Sequence, residues 1–210
     1  MIDLIPHALD AYIKKLLPER DPVIAEMEAF AAEHDVPIVG PAVGTLLQIL
    51  TRSIGADRVF ELGSAIGYST AFFAQAVGRG GQVFYTDGDP AKAEQARRYL
   101  HRMDLDERVQ IKVGDAVASL EATTGYFDVI FIDVDKEGYP QALKAAAPRI
   151  RRGGYLLADN VLWSGKVVDG SVHDAATEGI RQFNTLLFSL QEFRSVIVPL
   201  RDGVAIARRD

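Results

Sequence analysis

The sequence predicts an α/β fold: an open, mostly parallel sheet with helices on both faces and one reversed strand at its end. Three observations predict it. From residue 58 onward, short apolar runs alternate with stretches of helical period, the pattern of repeated β–α units. The strand segments are apolar nearly throughout, as strands covered on both faces are. The last pair, "FRSVIVPLRDGVAIARR", carries a short turn at Asp202-Gly203, which suits only an antiparallel hairpin.

The elements follow in order. The first part reads as helical. In "DPVIAEMEAFAAEHD", Asp21 is an N-cap, Pro22 the first helical residue, and Val23, Met27, Phe30 and Ala31 recur at helical spacing. A further helix follows Pro41 through Leu46, Leu47 and Leu50. Then come strand 58–62, helix 68–77, strand 82–87 and a helix from Pro90 to about Met103 capped by Asp89. Strand 109–113, helix 115–122, strand 127–133, helix 138–150 and strand 154–159 complete the alternation. A loop (160–172) and helix 174–190 lead to the terminal strands. The division expected is one domain over 1–210, with a helical cap (1–55) before the sheet core (56–210).

Composition narrows the function. A length of 210 residues, 48% hydrophobic and 25% charged, suits one ordinary globular core. A net charge of −6 disfavours a generic nucleic-acid or anionic-membrane surface. The absence of cysteine removes disulfides, thiolate zinc sites and a cysteine nucleophile. Asp3, Pro6, His7 and Asp10 interrupt any signal-like apolar run, and no segment approaches the ~20 apolar residues of a membrane span. The expectation is a soluble, cytoplasmic protein. His7, His34, His101 and His173 show no metal-ligand spacing.

In an open parallel sheet, ligands meet the carboxyl ends of the strands, so the residues just after each strand carry the information. "FELGSAIGYST" supplies Gly63 and Gly67 for a sharp turn and close ligand approach, ahead of a helix N-terminus at Tyr68 and Ser69. Asp87, 24 positions after Gly63, stands where an acid accepts hydrogen bonds from ribose hydroxyls. Asp115 in "VGDA" is placed to reach an adenine amino group. Each feature has a plainer reading as a tight connection or helix cap, which Asp89 already illustrates. Three acids at three strand ends favour a ligand rich in amines and hydroxyls. A dinucleotide site would need Gly-x-Gly-x-x-Gly for its pyrophosphate. Glu61 before Gly63 opposes a diphosphate and suits the cationic amino-acid end of S-adenosylmethionine, so a dehydrogenase is the weaker reading.

"FELGSAIGYST", "YTDGDP", "VGDA", "FDVIFIDVDKEGY", "RRGGYLLADNVLWSG" and "VPLRDGVAIARR" stand in an order that resembles the cation-dependent O-methyltransferases, the family of catechol and caffeoyl-CoA O-methyltransferases. The resemblance runs from about Pro37 to the C-terminus. It implies a Rossmann-like class I methyltransferase fold of seven strands, the last antiparallel, and commonly a homodimer. It implies that Asp133, Asp159 and Asn160 hold a divalent cation (Mg²⁺, Mn²⁺ or Ca²⁺) and that Lys136 is the base. It also implies that Glu61, Gly63, Ser69, Asp87 and Asp115 hold S-adenosylmethionine, with Val39 and Ala116 nearby. Asp133 belongs to the cofactor-binding, metal and catalytic sets together. Val134 replaces the alanine usual in the motif.

The chemistry agrees with the resemblance. Two carboxylates and an amide form a hard donor set with room for two vicinal hydroxyls of a small aromatic acceptor. A phenol of pKa near 10 needs help to ionise at neutral pH. Lys136 can take its proton if the cation and burial lower its own pKa from about 10.4. Asp135 has no assigned task, and Tyr139 and Trp163 suit either the substrate mouth or the core. Two further readings stand behind this one: methylation of a hydroxylated uridine in transfer RNA, which the acidic charge disfavours, and a non-catalytic S-adenosylmethionine-binding protein.

Overall fold

The computed structural model describes residues 6–210. Helices α1 (His7–Leu16), α2 (Pro22–Glu33) and α3 (Gly40–Ser53) come first. The alternating part comprises β1 (Arg58–Leu62), α4 (Tyr68–Ala76), β2 (Gln82–Asp87), α5 (Pro90–Arg102), β3 (Val109–Val113), α6 (Ala116–Ala122), β4 (Phe127–Ile132), α7 (Tyr139–Ala146) and β5 (Ile150–Ala158). It ends with α8 (Ala175–Ser189), β6 (Phe193–Val198) and β7 (Val204–Arg209). Local capping sets the helix starts. Asp21 and Asp89 accept the Val23 and Ala91 N–H groups, each at 2.8 Å, and a proline follows each cap as the first helical residue.

The seven strands lie in the order β3-β2-β1-β4-β5-β7-β6, and β7 runs antiparallel to both its neighbours. The reversed strand is thus last in sequence, but it is interior to the sheet rather than at its end. Reversal by the 200–203 turn carries β7 back between β5 and β6, where it bonds on both sides. Side chains from α2, α3, α4 and α5 pack on one face and those from α6, α7 and α8 on the other. Both faces of every central strand are therefore covered, which is why β1 and β4 tolerate so little polarity.

Two boundaries differ from expectation. Pro148 removes a backbone donor, so the helix expected over 138–150 ends at Ala146 and tightens into a 3-10 turn over Ala147–Arg149. Strand β5 begins at Ile150, four residues early, through "RRGG". A register shift opposite Phe127 and Val129 absorbs the extra residues, Gly153 takes φ +78°, and the Arg151 guanidinium pairs with Asp128. The 160–172 loop contains a 3-10 segment over Trp163–Val168, kinked at Ser164 and Gly165. No helix among the described residues is long and apolar enough to cross a membrane.

Candidate active site

The sheet reverses its winding between β1 and β4, and the carboxyl ends of these strands open onto one cavity of about 1250 Å³. Gly63, Ser69, Asp87, Asp115 and Ala116 line it, with Val39 entering from the start of α3. Asp133, Lys136, Asp159 and Asn160 line it as well. Asp87, Asp115 and Asp133, just at or past the ends of β2, β3 and β4, all line this cavity. Glu61 does not reach the wall: it is fully buried beneath Ser69.

Local geometry explains the arrangement. Gly63 has φ +85°, and a Cβ there would stand 2.2 Å from the Asp133 carbonyl oxygen, so only glycine lets the β1 and β4 ends approach this closely. Gly88 and Gly114 line the cavity with nothing within 4 Å of the place a Cβ would take. This leaves a cradle beside Asp87 and Asp115. Asp87 is fixed from both sides: Oδ2 accepts the Ala65 N–H at 2.9 Å and Oδ1 the Asp89 N–H at 2.8 Å. Asp115 accepts the Ala118 N–H at 2.7 Å as the α6 cap. Its plainer reading therefore holds for one oxygen. Glu61 accepts hydroxyl hydrogen bonds from Ser69 and Thr70, and burial pushes its carboxyl up to about 7 from 4.5.

The other end of the cavity is built for charge. Ladder bonds run one residue past each strand, from Asp133 N–H to Leu62 O (2.8 Å) and from Asp159 N–H to Ile132 O (3.3 Å). The two acids are consequently neighbours on adjacent strands. Asn160 follows at φ +57°, a left-handed conformation that asparagine tolerates better than most residues. Lys136 Nζ donates to Asp133 Oδ1 at 2.9 Å, Asn160 Oδ1 at 3.0 Å and the Tyr139 hydroxyl at 2.9 Å. Tyr139, fully buried, donates in turn to the Asp159 carbonyl at 2.9 Å.

Asp159 is 2% exposed, and its Oδ1 is buried without a hydrogen-bond partner. Burial first, and the nearby Asp133 charge second, push its carboxyl from 3.8 up to about 7. A buried carboxylate oxygen with no donor beside a second carboxylate is the electrostatic setting a cation relieves. Among the described residues no cluster of three or more His, Cys, Asp or Glu side chains is placed to hold a metal. A centre here must therefore include an amide, and Asn160 supplies one. The donor set fits a hard divalent ion.

Several participants escaped sequence reasoning. Tyr68 lines the cavity and donates to Glu28 Oε1 at 2.7 Å, while Thr70 closes off Glu61. A Cβ on Gly179 of α8 would fall 2.3 Å from the Lys136 carbonyl oxygen, so this glycine lets α8 support the lysine turn. Asp202 binds the Ser164 N–H and its carbonyl accepts the Leu162 N–H at 2.9 Å, tying the terminal hairpin to the Asn160 segment. Tyr68, Thr70 and Asp202 fall within the motifs quoted above, but a motif does not report the partners Glu28, Glu61 and Ser164 through which each acts.

A doubly wound sheet with a glycine-walled cradle at one end of its cavity and an oxygen-rich pocket at the other is the architecture of the Rossmann-like enzymes. The O-methyltransferase family profile matches residues 17–210. A catechol O-methyltransferase of Niastella koreensis is 34% identical over 218 residues, covering 99% of each chain. One from Mycobacterium tuberculosis is 33% identical over 166 residues, covering 78% of this chain and 76% of its own. The crystal structure of the O-methyltransferase from Bacillus cereus in complex with SAH superposes with a TM-score of 0.89 at 30% identity, covering 97% of both chains. TomG from Streptomyces achromogenes in complex with SAM gives 0.87 at 28% identity, covering 96% of both. The chain belongs to the O-methyltransferase family, and its fold is that of the class I enzymes.

Proposed function

We propose that this O-methyltransferase uses S-adenosylmethionine and a divalent cation to methylate one of two vicinal hydroxyls on a small aromatic acceptor. The observation that carries the reading is the orphaned, buried Oδ1 of Asp159 beside Asp133 and Asn160, on the wall of the same cavity as the glycine cradle. The SAH and SAM complexes of the two structural relatives, and the catechol O-methyltransferase relatives, point the same way.

When bound, the sulfonium supplies the methyl group and the cation supplies Lewis acidity toward the acceptor oxygens. Asp87, pre-oriented by two backbone donors, receives the ribose hydroxyls. Asp115 meets the adenine amino group with the oxygen its capping role leaves over. Ser69 and the Val39 and Gly63 backbone hold the amino-acid end, with the Glu61 charge buried behind. Asp133, Asp159 and Asn160 hold the metal. Lys136 would accept the proton of the acceptor hydroxyl, and the methyl group, on leaving sulfur, would bond to that oxygen. Tyr139, 2.9 Å from Nζ, fixes where the lysine sits.

Turnover of S-adenosylmethionine with catechol is expected to fall at least 100-fold with chelator and to return with Mg²⁺ or Mn²⁺. Turnover indifferent to chelator would sink the metal half of the proposal. Asp87→Ala is expected to weaken cofactor affinity about 10- to 100-fold, as loss of charge-assisted hydrogen bonds implies. Calorimetry with S-adenosylhomocysteine reads this directly, and an unchanged affinity removes the ribose assignment.

A further inference from the structure

We propose that Arg201 is a specificity-determining residue that receives an anionic substituent, a carboxylate, on the acceptor. The inference rests on the methyl-transfer reading above and names its substrate class. It starts from the backbone. Arg201 lies in the β6–β7 turn at φ +52°, a conformation rare for a non-glycine side chain without a local reason. The tight hairpin turn, closed by the Gly203 N–H on the Leu200 carbonyl at 2.9 Å, sets that φ, and it holds the exposed side chain on the wall of the cavity shared with Asp159, Asn160 and Trp163.

Its partners leave capacity over. Nη1 donates to the Ile38 carbonyl at 2.7 Å, and the guanidinium rests against Gly40, where a Cβ would meet Nη1 at 3.0 Å. Among the described residues no carboxylate lies within 4.0 Å of it. Three other cations of the same wall are paired, Lys14 with Asp10 at 2.7 Å, Arg20 with Glu28 at 2.8 Å and Lys136 with Asp133 at 2.9 Å, while Lys92, on the Asp87 side of the cavity, shares with Arg201 the absence of an ion pair among the described residues. The next residue, Asp202, binds the Ser164 N–H, so the guanidinium is carried on the same turn that braces the Asn160–Ser164 segment.

Electrostatics then selects the ligand. The guanidinium faces the Asp159 and Asp202 charges without an ion pair to either; a divalent cation held by Asp159 would take part of that compensation away and, with a sulfonium in the same cavity, repel the guanidinium. An acceptor bringing its own anion converts that repulsion into a charge-assisted, bidentate contact. A neutral catechol restores none of the lost compensation. The favoured class is therefore a dihydroxyaromatic acid rather than a neutral or aminated catechol.

The test compares 3,4-dihydroxybenzoate with its methyl ester in wild type, Arg201→Gly and Arg201→Lys. Glycine adopts the φ of this turn without strain, so the variant removes the guanidinium without risking the fold. Binding to the protein loaded with S-adenosylhomocysteine and Mg²⁺ is measured by calorimetry, and methyl transfer by kcat/KM. Wild type is expected to prefer the acid at least tenfold, mainly through KM. Arg201→Gly should erase the preference, Arg201→Lys should retain part of it, and added salt should shrink it. Equal treatment of acid and ester by wild type, or no binding of either, overturns the inference. A preference that survives Arg201→Gly, or a cofactor affinity that falls as far as the acceptor's, overturns it too. Turnover without charge preference rejects Arg201 and leaves the proposed function standing. Charge-dependent binding without methyl transfer does the reverse.

Discussion

Replacing Asp159 with asparagine is expected to abolish cation-stimulated methyl transfer and, in the absence of metal, to make the protein more stable. The first effect follows from losing one of two carboxylates in the donor set. The second follows from burial. Asp159 is 2% exposed, its Oδ1 is unpartnered, and its carboxyl titrates near 7 when folded against 3.8 ordinarily. Between these values the folded protein keeps a proton that the unfolded chain has lost. Its contribution to stability is complete below about pH 4 and is lost as pH rises through about 7. The asparagine variant carries no such penalty, on the order of 2–4 kcal/mol at pH 8. Glu61, also raised to about 7, remains in the variant, so the pH dependence is reduced rather than removed. Thermal melts from pH 5 to 8, with and without Mn²⁺, check this. Wild type should gain from the metal by mass action and the variant should not. A variant less stable than wild type in chelator at pH 8 contradicts the account.

Replacing Lys136 with methionine is expected to move two observables in opposite directions. Turnover should fall about 10²- to 10⁴-fold with the loss of the base. Metal affinity should rise severalfold, because Nζ now sits 2.9 Å from Asp133 Oδ1 and 3.0 Å from Asn160 Oδ1, where it competes for the oxygens the cation needs. Single-turnover rates and Mn²⁺ titration separate the two. Weakened metal binding in the variant would mean that the lysine organises the donor set instead of rivalling the ion.

What the sequence disclosed divides by range. Cap-and-proline starts at Asp21-Pro22 and Asp89-Pro90 are local, and the helices begin where they dictate. Strand-end acids are nearly as legible, because a parallel sheet aligns the residues that follow each strand: Asp87, Asp115 and Asp133 meet on one wall. The strand expected to begin at 154 begins instead at Ile150 and runs through "RRGG", because Asp128 on the neighbouring strand holds Arg151 and a bulge takes up the slack. Glu61 shows what a motif leaves out. Its place two residues before Gly63 says nothing of depth, and the Ser69 and Thr70 hydroxyls, eight and nine positions on, enclose it. Strand order left no mark in the chain, since hydrophobic alternation reports what a strand faces and not which strand lies beside it.

The interior position of β7 carries a consequence for assembly. Strands β1 to β5 can pair as they leave the ribosome, but the open side of β5 has to wait for residues 204–209, the last of the sheet to be made. Until then the edge over Tyr155–Ala158 stands bare, and another nascent copy can pair with it. The same late event delivers Asp202 to Leu162 and Ser164. Catalytic competence and escape from aggregation therefore arrive together, in one closing step.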